Sequence, residues 1–322
     1  MKRMTILITG IHGFVGSNLV DSLRGVCDIY GLDIVAPLKD GVVRTYSWMD
    51  LDTEELPSFD AIIHLAGKAH DTRNKSEADV YFQINTDLTK RIFDYYTAHS
   101  EIRKFIFFSS VKAAVDKVPG EILTEDVVPC PVGPYGESKV LAENYILKCL
   151  AGNPLSYRGR ESIILRPCMI HGPRNKGNLN LLYGFVKRGI PWPLGAFENR
   201  RTFTSIDNLA FVIKGILMRD IESGIYNMAD DEALSTNELI AVMCGAMHKK
   251  ARIWRINKGL VRFGARIGDL LHLPLNSFRL TKLTENYVVS NAKIKKALGI
   301  DRMPVRAADG LTSTIQSFIT NN

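Results

Sequence analysis

A tyrosine and a lysine stand four residues apart at the start of an amphipathic helical pattern, in the stretch PYGESKVLAE: Tyr135 and Lys139. Residues four apart share one face of a helix, so the ammonium can lie beside the phenol. A phenol has a pKa of about 10 and is a poor base at neutral pH unless a nearby positive charge lowers that value. The pair therefore suits acid–base chemistry. A solvated helix face also explains it, and the surrounding sequence has to decide.

Three glycines follow the first apolar run of the chain and have the spacing of a phosphate-binding turn. The run TILITG leads into Gly10, Gly13 and Gly16, with Phe14 and Val15 between the last two. Glycines at such a turn let the backbone approach a pyrophosphate, which then binds the N–H groups at the start of the next helix. The pattern G-x-x-G-x-x-G after a strand and before a helix predicts a dinucleotide site.

An acidic residue at the end of the second apolar run indicates which dinucleotide binds. Asp33 comes 17 positions after Gly16, where a carboxylate accepts hydrogen bonds from the adenosine ribose hydroxyls and repels a 2′-phosphate. The sequence therefore predicts NAD rather than NADP. Lys39 and Arg44 follow, but their distance along the chain is too large to reverse this preference.

The elements that position these residues alternate between strands and helices. Short runs rich in β-branched residues predict buried strands, at residues 5–10, 28–34, 60–67, 104–110 and 162–173. Helical patterns separate them, the clearest at residues 17–23 and 77–99. This alternation predicts an α/β fold with a doubly wound parallel sheet of the Rossmann type.

Two domains are expected. Residues 1–172 form the NAD-binding Rossmann domain, and residues 205–233 return to it. Residues 173–204 and 234–322 form a smaller, mostly C-terminal lobe that binds the substrate.

Composition and charge exclude several classes of protein. The 322-residue chain is 46% hydrophobic and 23% charged, which is ordinary for a soluble globular protein. Its net charge of +7 favours anionic small molecules and is too weak to indicate a nucleic-acid partner. Five widely spaced cysteines without a C-x-x-C motif predict neither a disulfide nor a metal site and fit a reducing compartment.

The apolar stretches of the sequence do not predict membrane insertion. The N-terminal run at residues 4–8 is too short for a signal peptide, and no stretch approaches the about 18 apolar residues of a membrane-spanning helix. Residues 260–275 are amphipathic, and a helix packed on its own domain is favoured over one at a membrane surface. We expect a cytoplasmic protein without stable membrane insertion.

Seven motifs follow one another along most of the chain: TGIHGFVG (9–16), IIHLAGKAH (62–70), Asn85 in YFQINTDLT, FFSS (107–110), Tyr135 with Lys139, LRPCMIHGP (165–173) and RRTFTSIDNLA (200–210). In this order and at these intervals they resemble the extended short-chain dehydrogenases/reductases, in particular the nucleotide-sugar epimerase and dehydratase branch. The resemblance implies a homodimer that acts on a UDP-sugar with NAD.

The resemblance assigns catalytic roles to three residues. Ser110 lies 25 residues before Tyr135, the interval at which the family places its catalytic serine or threonine. Tyr135 is then the acid–base residue, and Ser110 hydrogen-bonds the reacting oxygen. Lys139 supplies positive charge to the phenolate, to which the oxidised nicotinamide adds, and holds the nicotinamide ribose.

Further contacts are implied by the same resemblance. Cofactor contacts beyond the glycine turn are expected at Asp50, Leu51, Leu65, Ala66, Gly67, Lys68, Asn85, Tyr135, Lys139 and Pro167. Substrate contacts are expected at Lys112, Asn178, Leu179, Arg201 and Arg279. Arg201 matches the arginine that binds the diphosphate, and Arg279 is the candidate for its second partner. His64 fits an internal histidine at a strand end better than a metal ligand.

The sequence departs from the family pattern directly after the catalytic serine. Dehydratases carry an Asp-Glu pair there, whereas Val111 and Lys112 follow Ser110. This departure disfavours 4,6-dehydration and resembles members from polysaccharide gene sets that act at C4 of N-acetylated UDP-hexoses. We expect a UDP-(N-acetyl)hexose 4-epimerase in surface polysaccharide precursor synthesis. An NAD(P)H-dependent reductase of a UDP-4-keto-6-deoxy-hexosamine and a non-catalytic nucleotide-binding regulator stay open as alternatives.

Overall fold

Strands of the central sheet run parallel throughout. The computed structural model describes residues 3–53, 55–68, 77–175, 177–271 and 276–320. Its strands are β1 (Met4–Thr9), β2 (Cys27–Asp33), β3 (Arg44–Ser47), β4 (Ala61–His64), β5 (Lys104–Phe108), β6 (Glu161–Pro167), β7 (Met169–His171), β8 (Phe203–Ser205) and β9 (Gly224–Met228). Seven form one sheet in the order β3-β2-β1-β4-β5-β6-β9, and β7 pairs with β8 separately. The predicted Rossmann sheet is therefore confirmed.

α-Helices of the described residues cover both faces of this sheet, and others pack together apart from it. The helices are α1 (Phe14–Leu23), α2 (Asp50–Thr53), α3 (Ala78–Tyr81), α4 (Leu88–Ala98), α5 (Val111–Ala114), α6 (Pro134–Gly152), α7 (Asn178–Lys187), α8 (Ile206–Met218), α9 (Thr236–Ala246), α10 (Lys258–Leu270), α11 (Ser277–Thr284), α12 (Ala292–Leu298) and α13 (Ala307–Thr320). A π-helical stretch, Phe82–Asp87, joins α3 to α4, and a 3₁₀ turn, Pro154–Tyr157, follows α6.

Alternation along the strands divides the apolar core into two layers. Ile6 and Ile8 point to one face, where α1, α8 and α12 pack, while Leu7 points to the other, where α4 and α6 pack. On β5, Ile106 points to the first of these faces and Phe105 to the second. Successive strand side chains point to opposite faces, so near-continuous apolar runs are what a sheet covered on both faces requires.

The predicted strand at residues 162–173 is split in two. Pro167 ends β6, and the N–H of Cys168 donates to Met228 O of β9 at 2.9 Å. From Met169 the chain pairs instead with Phe203 in the small sheet. Proline has no N–H to donate, so it suits the end of a strand at which the chain changes partner.

A third core lies among α7, α9, α10, α11 and α13. It is built from the segments 178–203 and 234–318, while β9 pairs with β6 in the main sheet and α8 contacts α1. The two-domain boundaries expected from the sequence stay a prediction.

Helix α10 packs on this third core through small residues only. Val261, Ala265 and Gly268 are buried, whereas larger apolar residues such as Phe263 and Leu270 are exposed. The helix therefore packs on its own part of the chain, as expected, but its larger apolar side chains stay exposed. In the described part of the chain, no helix is long and apolar enough to cross a bilayer.

The turn from β1 into α1 accepts only glycine at two positions. Gly10 has φ +68°, and a Cβ there would lie 2.8 Å from Ala66 N. A Cβ on Gly16 would lie 2.6 Å from Gly10 O and 2.8 Å from Ile11 Cα, although its φ is not in the left-handed region. The glycines therefore allow one backbone segment to approach another closely.

We expect Gly16→Ala to lower the free energy of unfolding by about 1–3 kcal/mol, because the added methyl overlaps backbone atoms that cannot rotate away. Gly184→Ala is the matched control. Gly184 lies inside α7 with open space around it, so alanine there should raise stability by about 0.5–1 kcal/mol through better helix propensity. Urea unfolding of both variants measures this, and changes of the same sign would contradict the described turn.

Candidate active site

The carboxyl ends of β1, β4, β5 and β6 meet at one edge of the sheet, and the predicted catalytic residues lie there. Ser110 follows β5 by two residues, and Tyr135 is the second residue of α6. Gly133, with φ +83°, precedes Pro134 at the first turn of α6. A proline suits this position because its missing N–H has no acceptor inside the helix.

Ser110 is fixed by the short helix that it begins. Its backbone is extended, and its Oγ accepts a hydrogen bond from Lys112 N at 3.2 Å. Burial raises the pKa of the Tyr135 phenol, and a hydrogen bond with the Ser110 side chain opposes that rise. Tyr81 packs edge-on against Tyr135, with ring centroids 6.4 Å apart. The structure therefore brings the predicted serine and tyrosine into contact.

Lys139 is a buried ammonium one turn farther along α6. Its Nζ donates to Phe108 O at 2.8 Å and lies 5.0 Å from the ring centroid of Phe107. Burial lowers the pKa of Lys139 to about 8, and the charge of Glu143 opposes this. The sequence predicts that Lys139 lowers the pKa of Tyr135. The Lys139 ammonium is bonded to the end of β5, and burial is the largest influence on the pKa of the phenol, so this role of Lys139 stays a prediction.

A buried ion pair behind these residues was missed by sequence reasoning. Arg166 on β6 and Glu143 on α6 are each 1% exposed, and they are joined by bonds of 2.9 Å from Nε to Oε1 and 2.5 Å from Nη2 to Oε2. Ser109 Oγ donates to the same carboxylate. An arginine directly after the apolar run at residues 163–165 was the available signal, because a buried charge requires a partner.

Asn85 connects the segment after β4 to helix α6. It is fully buried in the π-helical stretch, accepts from Lys68 N at 2.8 Å and donates to Ser138 Oγ at 3.0 Å. A Cβ on Gly67 would lie 2.9 Å from Asn85 Oδ1 and 3.0 Å from Lys139 Nζ. Three of the expected cofactor residues, Gly67, Lys68 and Asn85, therefore lie together, and Gly67 also lies against Lys139. π-Helical turns are frequent at functional sites.

His64 is an internal residue, as the sequence predicted. Its Nδ1 lies 2.7 Å from Thr9 Oγ1, and its Nε2 lies 2.9 Å from Thr89 Oγ1. Burial holds the pKa of His64 well below its usual value. Thr9 Oγ1 also accepts from Ala66 N at 3.0 Å, which fixes the segment after β4 against β1. The described residues contain no cluster of His, Cys, Asp or Glu able to hold a metal ion.

The glycine turn fits the pyrophosphate of a dinucleotide. No side chain of the described residues caps the start of α1, which leaves the first N–H groups, at Phe14, Val15 and Gly16, directed to the turn. The backbone there approaches closely enough that only glycine fits at Gly10 and Gly16. An uncapped helix start with this geometry is suited to an anion.

Asp33 ends β2 beside this turn. Its Oδ2 accepts from His12 N at 3.0 Å and its Oδ1 from Ile34 N at 2.8 Å, which orients the carboxylate at the sheet edge. Lys39 lies nearer to Asp33 and to α1 than its sequence position suggested. Its Nζ donates to Ser17 Oγ at 2.8 Å, and Asp33 is among the charges that act on it. The loop after β2 folds back over α1, which chain distance alone does not indicate.

The remaining residues expected near the cofactor have mixed environments. Asp50 accepts from Ser47 N at 2.6 Å at the start of α2, and Leu51 is buried in the core layer on the α4 side. Leu65 packs partly against the opposite layer. Pro167 is the last residue of β6. Leu51 is therefore placed to support the fold with its side chain.

On the expected substrate side, Arg201 is paired with a carboxylate. Its Nη2 lies 3.2 Å from Glu285 Oε1. Burial lowers the pKa of Arg201, and the negative charge of Glu285 opposes this change. Leu179 is 2% exposed and packs in the third core, so its side chain does not line an open site. Asn178 begins α7, and Arg279 is an exposed residue of α11.

Lys112 belongs to a charged cluster that sequence reasoning found only in part. Its Nζ donates to Asp116 O at 2.8 Å and Asp116 Oδ1 at 3.1 Å, and it lies 4.3 Å from the ring centroid of Tyr287. Lys282 of α11 binds the same carboxylate at 2.9 Å and lies 3.6 Å from Glu285. The cluster therefore links Ser110's helix to Arg201.

The chain belongs to the NAD dependent epimerase/dehydratase family, whose model matches residues 6–229. It is 28% identical to a UDP-glucose 4-epimerase of Vibrio cholerae, with 99% of this chain and 96% of the relative covered. It is 26% identical to the N-acetyl-alpha-D-glucosaminyl-diphospho-ditrans,octacis-undecaprenol 4-epimerase of Escherichia coli O157:H7, covering 90% and 84%.

Solved structures share the fold. The UDP-N-acetylglucosamine 4-epimerase from Methanobrevibacter ruminantium M1, in complex with UDP-N-acetylmuramic acid, aligns over 100% of both chains with a TM-score of 0.74 and 20% identity. NAD is the cofactor of the family, and the glycine turn, Asp33 and the Gly67–Asn85–Lys139 contact fit it.

Replacement of Lys139 by methionine tests its buried charge. Because the folded-state pKa of Lys139, about 8, lies below the ordinary 10.5, the unfolded chain binds the additional proton between these values and wild-type stability rises with pH across that window. Lys139→Met lacks this dependence, so its free energy of unfolding relative to wild type should fall by about 2 kcal/mol between pH 7 and pH 10.

Lys148→Met is the control, because Lys148 is an exposed lysine of the same helix. Urea unfolding of the three proteins at several pH values measures the difference. If Lys139→Met and Lys148→Met have the same pH dependence, the ammonium of Lys139 is solvated and its described environment is wrong.

Proposed function

We propose that the chain is a UDP-(N-acetyl)hexose 4-epimerase that uses Ser110, Tyr135 and Lys139. The observation that carries the proposal is the hydrogen-bonded pair of buried Ser110 and half-buried Tyr135, with the Lys139 ammonium one turn away. The names of the relatives support C4 chemistry, since both the V. cholerae and the E. coli proteins are 4-epimerases.

Tyr135 is the group that exchanges a proton with the sugar. In the first half-reaction the C4 hydroxyl gives its proton to the Tyr135 phenolate while C4 loses a hydride, which leaves a 4-keto sugar that must turn over in the site before the hydride returns to its opposite face. The residues of the glycine turn, Asp33 and Lys139 would hold NAD, which would supply the hydride acceptor and a cationic ring that favours the phenolate. Tyr135 then returns the proton to the C4 oxygen. Ser110 holds that oxygen, and Lys139 keeps a positive charge near the phenol.

The charged cluster disfavours dehydration. Asp116 is the first carboxylate after Ser110, six residues on. Burial alone would raise its pKa, but the hydrogen bond from Lys282 and the charge of Lys112 lower it overall. A carboxylate held ionised by two lysines cannot supply the proton needed to expel a hydroxyl. This supports a reaction that is confined to C4.

A second candidate is the same C4 chemistry on a sugar linked through a diphosphate to a polyprenol. The name of the E. coli relative describes such a substrate. The exposed apolar residues of α10 favour this candidate, because a water-soluble UDP-sugar gives the protein no use for them.

We expect Tyr135→Phe to lower turnover by at least about 10²-fold, because the proton has no acceptor on the chain. NAD affinity and the unfolding midpoint should stay near wild type. Tyr81→Phe is the control, since it removes a phenol from the adjoining buried ring and should change turnover only a few-fold. Equal turnover in the two variants would remove Tyr135 from its assigned role.

We propose that Arg201 binds the diphosphate of the substrate and gives up part of its ion pair with Glu285 when it does so. Arg201→Ala should weaken UDP binding by about 10–100-fold, the value of a charge-assisted hydrogen bond, and leave NAD affinity unchanged. The neighbouring Arg200→Ala is the control, because Arg200 is exposed and bonds Ala233 O. Calorimetric titration measures both ligands, and an equal loss of UDP affinity in both variants would contradict a specific role for Arg201.

The reaction itself is tested by incubating the purified protein with UDP-GlcNAc without added cofactor and recording the proton NMR spectrum of the sugar. Appearance of the galacto epimer is expected. No conversion, together with NAD(P)H consumption on a UDP-4-keto-6-deoxy sugar, would assign the reductase instead. Conversion restricted to polyprenyl-diphosphate-linked GlcNAc would assign the second candidate.

A further inference from the structure

Helix α10 exposes a row of large apolar side chains. Its exposed apolar residues, with the helix-ending Leu271, are Leu260 (67% exposed), Phe263 (63%), Ile267 (39%), Leu270 (78%) and Leu271 (60%). At about 100° per residue these five positions fall within about 100° of one another around the helix. They form one continuous stripe, which we call the outer stripe. It lies beside the row of small residues that packs on the third core.

The charge of the protein is concentrated around this helix. Residues 249–266 contain seven lysines and arginines and no acidic residue, so this segment carries +7. The whole chain also carries +7, which leaves the other residues with a net charge of 7 − 7 = 0. All seven basic residues are exposed. Lys258, Arg262 and Arg266 lie on α10 itself, and Arg266 flanks the outer stripe, about 40° from Leu270 around the helix.

An exposed tryptophan lies in the same basic segment. Trp254, 57% exposed, comes four residues before α10 in the same basic segment. The backbone of this segment forms hydrogen bonds with Trp192, whose side chain is buried. The strand-like segment is thus fixed to the third core while the ring of Trp254 faces outward.

We propose that the outer stripe of α10 and its basic surroundings dock on an anionic lipid bilayer, with α10 parallel to the membrane plane. An apolar stripe with Leu, Ile and Phe would enter the acyl boundary, and Trp254 would sit at headgroup depth. The seven cations would lie against anionic headgroups, and the long side chains of lysine and arginine can reach them from the flanks.

The charge and the stripe together select this occupant. A second copy of the chain would bring two surfaces of +7 together, and a nucleic acid would leave the aliphatic stripe in water. An anionic bilayer satisfies both features at once. The surface also lies near the site, because Asp269 of α10 accepts from Ser277 N at 2.9 Å at the start of α11.

Helix α11 then leads from the bilayer surface to the diphosphate residues. Its eight residues span about 12 Å and carry Lys282, which contacts Asp116, and Glu285 follows to pair with Arg201. The docking surface does not depend on the proposed reaction. Only the use of Arg201 for a lipid-linked diphosphate rests on the proposed function.

Vesicle co-sedimentation tests the proposal with the full chain. We expect wild type to sediment with vesicles of phosphatidylethanolamine and phosphatidylglycerol and to stay in solution with phosphatidylcholine vesicles. Phe263→Glu/Leu270→Glu should lower the bound fraction at least about 10-fold, because two anions replace inserted apolar groups. Leu155→Glu is the control for a single Leu270→Glu, since both leucines are exposed to nearly the same extent, 81% and 78%. Leu155→Glu should bind like wild type.

Three outcomes would overturn the proposal. The first is that the wild-type protein does not sediment with anionic vesicles. The second is that the α10 variants bind these vesicles as well as wild type does and that 0.5 M salt abolishes the binding, because charge alone would then explain the binding. A wild-type dimer that Phe263→Glu/Leu270→Glu converts to monomer, without vesicle binding, assigns the stripe to a second copy. NAD affinity and turnover on UDP-GlcNAc in the same variants report separately on the proposed reaction, because none of these residues lies in the catalytic site.

Discussion

The ion pair between Arg166 and Glu143 holds the parts of the active site together. It joins the end of β6 to α6, and the same carboxylate binds Ser109, the neighbour of Ser110. Glu143 lies one turn beyond Lys139, and its negative charge raises the pKa of Lys139 against the effect of burial. Removing one member would leave the other charged and buried, at a cost of about 3–5 kcal/mol. Strand ends and helix are thereby fixed in one geometry.

Around this pair, burial makes both Tyr135 and Lys139 resist charge. Burial raises the pKa of Tyr135 and lowers that of Lys139, so the apolar surroundings favour a neutral phenol and a neutral amine. The Ser110 hydrogen bond and the Glu143 carboxylate act in the opposite direction. In the proposed reaction, a phenolate–ammonium state would form most readily when a substrate oxygen and a cationic ring complete the site. Coupling chemistry to occupancy in this way would protect the proposed 4-keto sugar from water.

Local patterns could be predicted from the sequence, and contacts between distant segments could not. The glycine turn and the end of β2 at Asp33 follow from backbone sterics and strand periodicity, which neighbouring residues determine. Lys39 lies beside α1 because its loop folds back, and Leu179 is buried because several helices meet over it. The outer stripe of α10 was unpredictable for the same reason. Its period indicates an apolar face, but only the packing of the small residues shows which part of that face stays exposed.

The central claim is that a hydride leaves C4 and returns to the same carbon within one active site. UDP-GlcNAc deuterated at C4 tests it most directly, when incubated with the purified protein in ordinary water without added cofactor. The galacto epimer should retain its deuterium at C4 in full, because Tyr135 exchanges only the hydroxyl proton. Loss of the deuterium to water, or a requirement for added NAD in stoichiometric amounts, would contradict it.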